Sequence, residues 1–308
     1  MKTAKYFIAF AFVAAVLCSC SSGSEDTSPD TSEPSLPQGK LPITISTSVN
    51  ALEDTRVTDY AFEQGDKVGI YVVNRNADGS SNPLMPQGNY VDNVLFAYDG
   101  TWSAASPVNW LDNETRADFY LYYPYMVSVP DAGAMAFNLN ADQSSEEAYK
   151  ASDVIVGTAL DVAPTESAVA ITARHVMSQI FITLVPGNGF TEESLAASDV
   201  SVKVNGVRTG ALVDIANGSV TATGETSSVA TWHVDGAYKA VIVPQDVAEG
   251  NLITVNIDRN VLNFKKAFTF VGGKRHQFTI TLNKTGSGIN VTIDQWDDDG
   301  TDNGGVAE

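Results

Sequence analysis

The sequence predicts an all-β protein built from two β-sandwiches in series. After Lys40 the chain consists of short runs rich in Val, Ile, Thr, Tyr and Phe, separated by turn residues. Asp99-Gly100, Asn205-Gly206 and Asp235-Gly236 lie between such runs, and these dipeptides accept the positive φ angles of tight hairpin turns. No long helical period of apolar residues occurs. A length of 308 residues with 44% hydrophobic content allows two domains of about 130 residues, each with its own core.

Residues 1–19 have a basic start, Lys2 and Lys5, and an apolar run from Phe7 to Leu17. That is the pattern of a secretory signal peptide, too short to span a membrane. Leu17-Cys18-Ser19-Cys20 resembles a bacterial lipobox, which would make Cys20 the lipidated first residue of the mature chain. The alternative is an ordinary signal peptide that happens to contain Cys18 and Cys20. Residues 20–40 follow as a flexible tether of Ser, Thr, Asp, Glu, Pro and Gly, with Leu36 as its single large apolar residue. Such a segment cannot bury enough surface to offset its ordering entropy.

The first sandwich is expected over residues 41–165. Ile43, Ile45, Thr47 and Val49 alternate with polar residues, as a half-buried strand should. A polar, acidic loop containing Arg56 and Val57 comes next. Val68 to Val73 is apolar on both faces and belongs in the middle of a sheet. Val94 to Tyr98 and Thr101 to Ser103 flank Asp99-Gly100 as a hairpin, and Asp118 to Tyr123 is a strand stopped by Pro124. Asp153 to Ala159 adds a further strand before a boundary at Asp161 to Ser167, around Pro164.

The second sandwich is expected over residues 166–308. Val176 to Val185 opens it, and two hairpins turn at Asn205-Gly206 and Asp235-Gly236. Leu252 to Ile257 and Gln277 to Leu282 alternate cleanly. Ile289, Val291 and Ile293 form the last such run, with Trp296 beyond them.

A formal net charge of −19 argues against nucleic acid as a partner. No cysteine follows Cys20, so the exported chain has no disulfide framework and no cysteine metal site. His175, His233 and His276 are widely separated, and neither a nucleophile elbow nor a phosphate-binding glycine loop is present. Asn74 to Gly79 has the oxygen spacing of half a calcium loop, but its twelfth position is Met85, which cannot supply the closing carboxylate. In the acidic tail the first ligand would fall on Gln295 and the twelfth on Val306. The residues therefore point to a protein that is no enzyme and needs no metal or cofactor.

Several features occur in a telling order: the lipobox, a strand, the loop with Arg56, Gly65-Asp66-Lys67-Val68-Gly69-Ile70-Tyr71, Tyr122-Tyr123-Pro124, His175 before a strand, Val243-Pro244-Gln245, Gly272-Gly273-Lys274 ahead of Phe278, and a late Trp296. In that order the chain resembles the fimbrillin family of Bacteroidetes. The resemblance implies two transthyretin-like β-sandwich domains, export as a lipoprotein to the cell outer membrane, and service as a subunit of type V fimbriae. It also implies that an Arg-specific protease cuts Arg56-Val57. The cut would remove the strand of Ile43, Ile45, Thr47 and Val49 and open a groove for a neighbouring pilin subunit's donor strand. Arg75 and Arg116 are less apt sites, since cutting there would sever more of the sheet. Ile289, Val291 and Ile293 are either the chain's own donor strand or the closing strand of the second sandwich. The acidic, glycine-rich residues 297–308 make a poor donor, which favours a tip or accessory subunit. A second reading is a stationary surface lipoprotein that binds a host glycan or protein through exposed Trp102, Trp110 or Trp296.

Overall fold

A computed structural model describes residues 40–49, 61–258, 260–285, 288–294 and 305–307. Cys20, the tether up to Gly39, Arg56, Val57 and Trp296 lie outside the described residues. The described chain is all-β, with twenty strands and two short helices.

Seven strands form one sheet in the order β1 (Ile45–Val49), β8 (Val169–His175), β7 (Ile155–Val162), β5 (Ala117–Tyr123), β2 (Lys67–Asn74), β3 (Val91–Tyr98) and β4 (Trp102–Ala104). A five-stranded sheet runs β11 (Val220–Ala230), β10 (Val200–Val213), β15 (Asn251–Ile257) and β16 (Asn260–Lys265), with β6 (Met135–Asn138) also paired to β10. A six-stranded sheet runs β12 (Trp232–Val234), β13 (Ala237–Ile242), β9 (Ser178–Pro186), β18 (Arg275–Thr285), β19 (Gly288–Asp294) and β20 (Gly305–Ala307). The short pair β14 (Gln245–Val247) and β17 (Phe268–Phe270) completes the set. Helix α1 (Glu146–Lys150) starts where the Ser145 side chain accepts from the Ala148 N–H, and α2 (Glu192–Ala196) starts at a capping box on Thr191.

Alternation along the central strands explains how the sheets pack. On β2, Val68, Ile70 and Val72 enter one apolar cluster while Tyr71 and Val73 enter another. On β5, Phe119 and Leu121 enter the first, and Tyr120 and Tyr122 the second. The run Val68 to Val73, read as apolar on both faces, is thus buried on both. The second cluster continues between the other two sheets, where Val202, Val204 and Val255 of the five-stranded sheet share it with Ile180, Ile182 and Ile280 of the six-stranded one. This is sandwich packing.

Strand pairing crosses residue 165 in both directions. Pro164 lies in the connection between β7 and β8, which pair antiparallel within one sheet. Residues Met135–Asn138 of β6 pair instead with β10, Phe137 opposite Ala211. Two of the three expected hairpins form. Tyr98 faces Trp102 across Asp99-Gly100-Thr101, and Val234 faces Ala237 across Asp235-Gly236, both of positive φ. Asn205-Gly206 does not turn the chain. Gly206, at φ 72°, makes a bulge within a continuous β10, and the Asn205 side chain is tied to Thr254 and Ser228 on the flanking strands. The reversal comes later, between Val213 and Val220, where the Asp214 carboxylate accepts from the Ala216 and Asn217 N–H groups.

Burial pushes the Tyr71 hydroxyl up to about 12, with Asp92 and Tyr125 adding to it, and raises Tyr122 and Tyr123 further for the same main reason. A folded-state pKa above the unfolded value of about 10 favours the neutral folded form, so this stabilisation is complete below about pH 10 and is lost as the pH climbs through the folded values. The melting temperature should therefore stay level from neutral pH to about 9.5 and fall above about 10. Tyrosinate absorbance from these rings should appear together with the loss of near-ultraviolet circular dichroism. Full ionisation of all tyrosines while the fold persists would contradict this account.

Candidate strand-exchange site

The first strand is held on its inward face by apolar contact. Ile43 and Ile45 are each 5% exposed, Leu41 and Val49 pack on the same cluster, and Thr44, Ser46 and Ser48 are exposed. Its backbone pairs parallel with β8, from Ile45 opposite Val169 to Val49 opposite Ala173, and Val169 N–H donates to Thr44 O at 2.8 Å. Just before β1 the chain meets a second segment. Ile43 N–H donates to Val108 O and Trp110 N–H to Leu41 O, both at 2.8 Å. Further along, Trp102 Nε1 of β4 donates to Thr47 Oγ1 at 3.0 Å.

Strands β1 and β4 are opposite edges of the seven-stranded sheet, so these bonds mean that the sheet curls until its edges meet. The curl encloses Phe62, Phe96, Trp102, Trp110 and Phe119, with Phe62 edge-on to Trp102 at 5.0 Å and Trp110 edge-on to Phe119 at 5.4 Å. Trp102 is 8% exposed and Trp110 only 2%. Neither can serve as the exposed stacking platform expected of them, because both are enclosed beneath the first strand.

The remaining polar candidates are tied into the fold. Arg75 Nε pairs with the buried Asp118 at 2.8 Å and Arg116 Nε with Asp161 at 2.6 Å, while Asp161 N–H also donates to Asp118. The Arg116 guanidinium accordingly holds the Asp161 carboxyl below its usual range. His175 Nδ1 lies 2.5 Å from Asp153, His233 stacks on Tyr238 at 4.3 Å, and His276 Nε2 accepts from Val271 N–H. In the half calcium loop, Asp78 accepts from the Ser80 N–H and hydroxyl, which lowers its pKa. Among the described residues no group of three His, Cys, Asp or Glu side chains could hold a metal ion. Ile289, Val291 and Ile293 lie on β19, whose backbone pairs antiparallel with β18 on one side and with β20 on the other.

Sequence alternation located the inward face of β1 but not its partners. Parallel pairing with β8 leaves no turn to mark it, and Phe62, which packs beside Trp102, carries no motif.

A model of the fimbrillin-like family of sequences matches residues 55–296. The chain belongs to the fimbrillin-like family. A curated relative, the candidate fimbrium subunit Fim1C of Bacteroides uniformis, is 24% identical over 91% of either chain. Among solved structures, a candidate cell adhesion protein of Bacteroides ovatus superposes with a TM-score of 0.65 at 16% identity, covering 84% of this chain and 97% of the other. Another from Bacteroides uniformis superposes with a TM-score of 0.61 at 19% identity, over 84% and 98% respectively. These two neighbours share the fold of this fimbrillin-like chain.

Within that fold, the inward face of β1 should dominate its attachment. Ile45→Ala should cost about 2–5 kcal/mol in denaturant unfolding, the range for a buried large-to-small change. Ser46→Ala, on the exposed face, should stay within about 0.5 kcal/mol. Equal losses at both positions would show that side-chain burial does not hold the strand.

Proposed function

We propose that this chain is a structural and adhesive subunit of surface fimbriae that joins its neighbours by donor-strand addition. The observation that carries the reading is the first strand itself. It closes a curled sheet through one parallel pairing, a short antiparallel contact and one side-chain hydrogen bond, with Ile43 and Ile45 filling the apolar floor. Its removal would leave unpaired backbone groups on β8 and an apolar slot over Phe119, Ile171 and Trp110. A strand from another pilin subunit would fill that slot by main-chain bonding, with alternate side chains supplying specificity.

In this reading Cys20 carries the lipid that brings the precursor to the outer membrane, and an Arg-specific protease cuts Arg56-Val57 to release β1. The candidate bond falls between Val49, paired in the sheet, and Phe62, packed against Trp102 and Tyr123. A cut there separates β1 while leaving Phe62 in place. Cutting at Arg75 or Arg116 would instead break chain that bonds across the sheet, since Arg75 N–H donates to Arg116 O. The acidic residues 297–308, poor in large apolar side chains, favour a tip or accessory place in the fibre over a stalk position.

N-terminal sequencing and intact mass of the protein released from the cell surface test the reading. The expected product starts at Val57. Arg56→Ala should leave export and folding intact and abolish incorporation into fimbriae. A lipidated start at Cys20 in assembled fibres, or normal fimbriae containing the uncut variant, would overturn the mechanism.

A further inference from the structure

The first strand carries one polar side chain among the apolar ones of its inward face. Ile43, Ile45, Thr47 and Val49 alternate with the exposed Thr44, Ser46 and Ser48, so Thr47 shares the enclosed side with the three apolar residues. It lies opposite the fully buried Ile171 of β8, and its hydroxyl accepts from Trp102 Nε1 of β4 at 3.0 Å, a normal N–H to oxygen distance. Among the described residues, no other side chain of β1 makes a hydrogen bond. The donor is held in place by packing. Trp102 is buried, with the rings of Phe62 and Tyr98 at 5.0 and 5.1 Å from its own.

Apolar alternation alone leaves the register of a strand in this slot undecided. A slip by one residue turns its apolar side chains outward, but a slip by two keeps them inward. After a slip of two, Ile45 or Val49 would meet Trp102 in place of Thr47. The indole N–H would then be covered without an acceptor, having lost its hydration for nothing in return. The bond between Trp102 and Thr47 therefore singles out one register, as one buried polar residue does in a coiled coil.

We propose that Trp102 selects the incoming donor strand and sets its register, by demanding a hydroxyl at the third of four inward positions whose other three are apolar. The proposal rests on the strand-exchange reading above and adds to it the chemistry of the partner strand. A strand apolar at all four positions would bury at least as much surface, yet it would leave Trp102 unpaired beneath it. Losing one partner of a buried pair costs roughly 5- to 100-fold in affinity. The slot thus rejects the uniformly apolar strands that its floor of Phe119, Ile171 and Trp110 would otherwise welcome. Because Thr47 already meets the demand, the strand that leaves is the template for the strand that enters.

Exchange of isotope-labelled peptides into the chain nicked at Arg56-Val57 by an Arg-specific protease tests the proposal. The peptides carry residues 41–50, either unchanged or with Thr47→Val, which is close in shape and more apolar. By burial alone the Thr47→Val peptide would bind at least as well. Native mass spectrometry should instead show it displacing β1 at least about fivefold more weakly than the unchanged peptide. Against the nicked Trp102→Phe protein the two peptides should differ by less than about twofold, since the donor is gone. In the intact chain, where no exchange is needed, Thr47→Val should raise the unfolding constant at least about fivefold, and not when combined with Trp102→Phe. Should the Trp102→Phe protein fail to fold, the two peptides on the native-sequence protein decide the matter. Equal binding of both there would overturn the proposal and leave strand exchange standing. If neither peptide enters, strand exchange itself is overturned, and this selection with it.

Discussion

Closure of the curled seven-stranded sheet by its first strand is the constraint on which the N-terminal half depends. A sheet that curls this far brings its edges together, and the unsatisfied backbone groups of those edges must find partners. Here Leu41–Ile43 supply them to Val108–Trp110, and Trp102 donates to Thr47. The aromatic residues inside, Phe62, Phe96, Trp102, Trp110 and Phe119, stay dry only while this seam is covered.

The same sheet couples the two apolar clusters. Strands β2 and β5 present Ile70 and Leu121 to one and Tyr71 and Tyr122 to the other, so a change on either strand is felt on both faces. Tyr122 adds a polar anchor, its hydroxyl 2.7 Å from Asn93 Oδ1 and 2.9 Å from Met126 O, which fixes the loop that leaves β5. With no cysteine after Cys20, stability rests on this packing and on ion pairs such as Arg75–Asp118.

Local pattern carried much of the fold. The alternation of Ile43, Ile45, Thr47 and Val49, the two-faced run Val68 to Val73 and the turn at Asp235-Gly236 all read directly from the sequence, because each depends on neighbouring residues alone. Asn205-Gly206 misled because a glycine of positive φ serves a bulge as well as a turn, and side-chain bonds to Thr254 and Ser228 settle which one forms. Long-range geometry was invisible. The curl that buries Trp102 and Trp110 and the pairing of β6 with β10 arise from strands distant in sequence. The inward face of the first strand was therefore legible, while its partners were not.

The parallel pairing of β1 with β8 bears on the order in which the fold can be completed. In a chain made from its N-terminal end, β1 is complete before every other strand, yet Val169 to Ala173, against which it must lie, follow only after the rest of that sheet. Pairings that close long loops form late, whereas β2 with β3 and β7 with β8 close short ones. The strand made first thus waits longest for its place. In the interval, the edge of β8 is open to any extended segment with alternating apolar side chains.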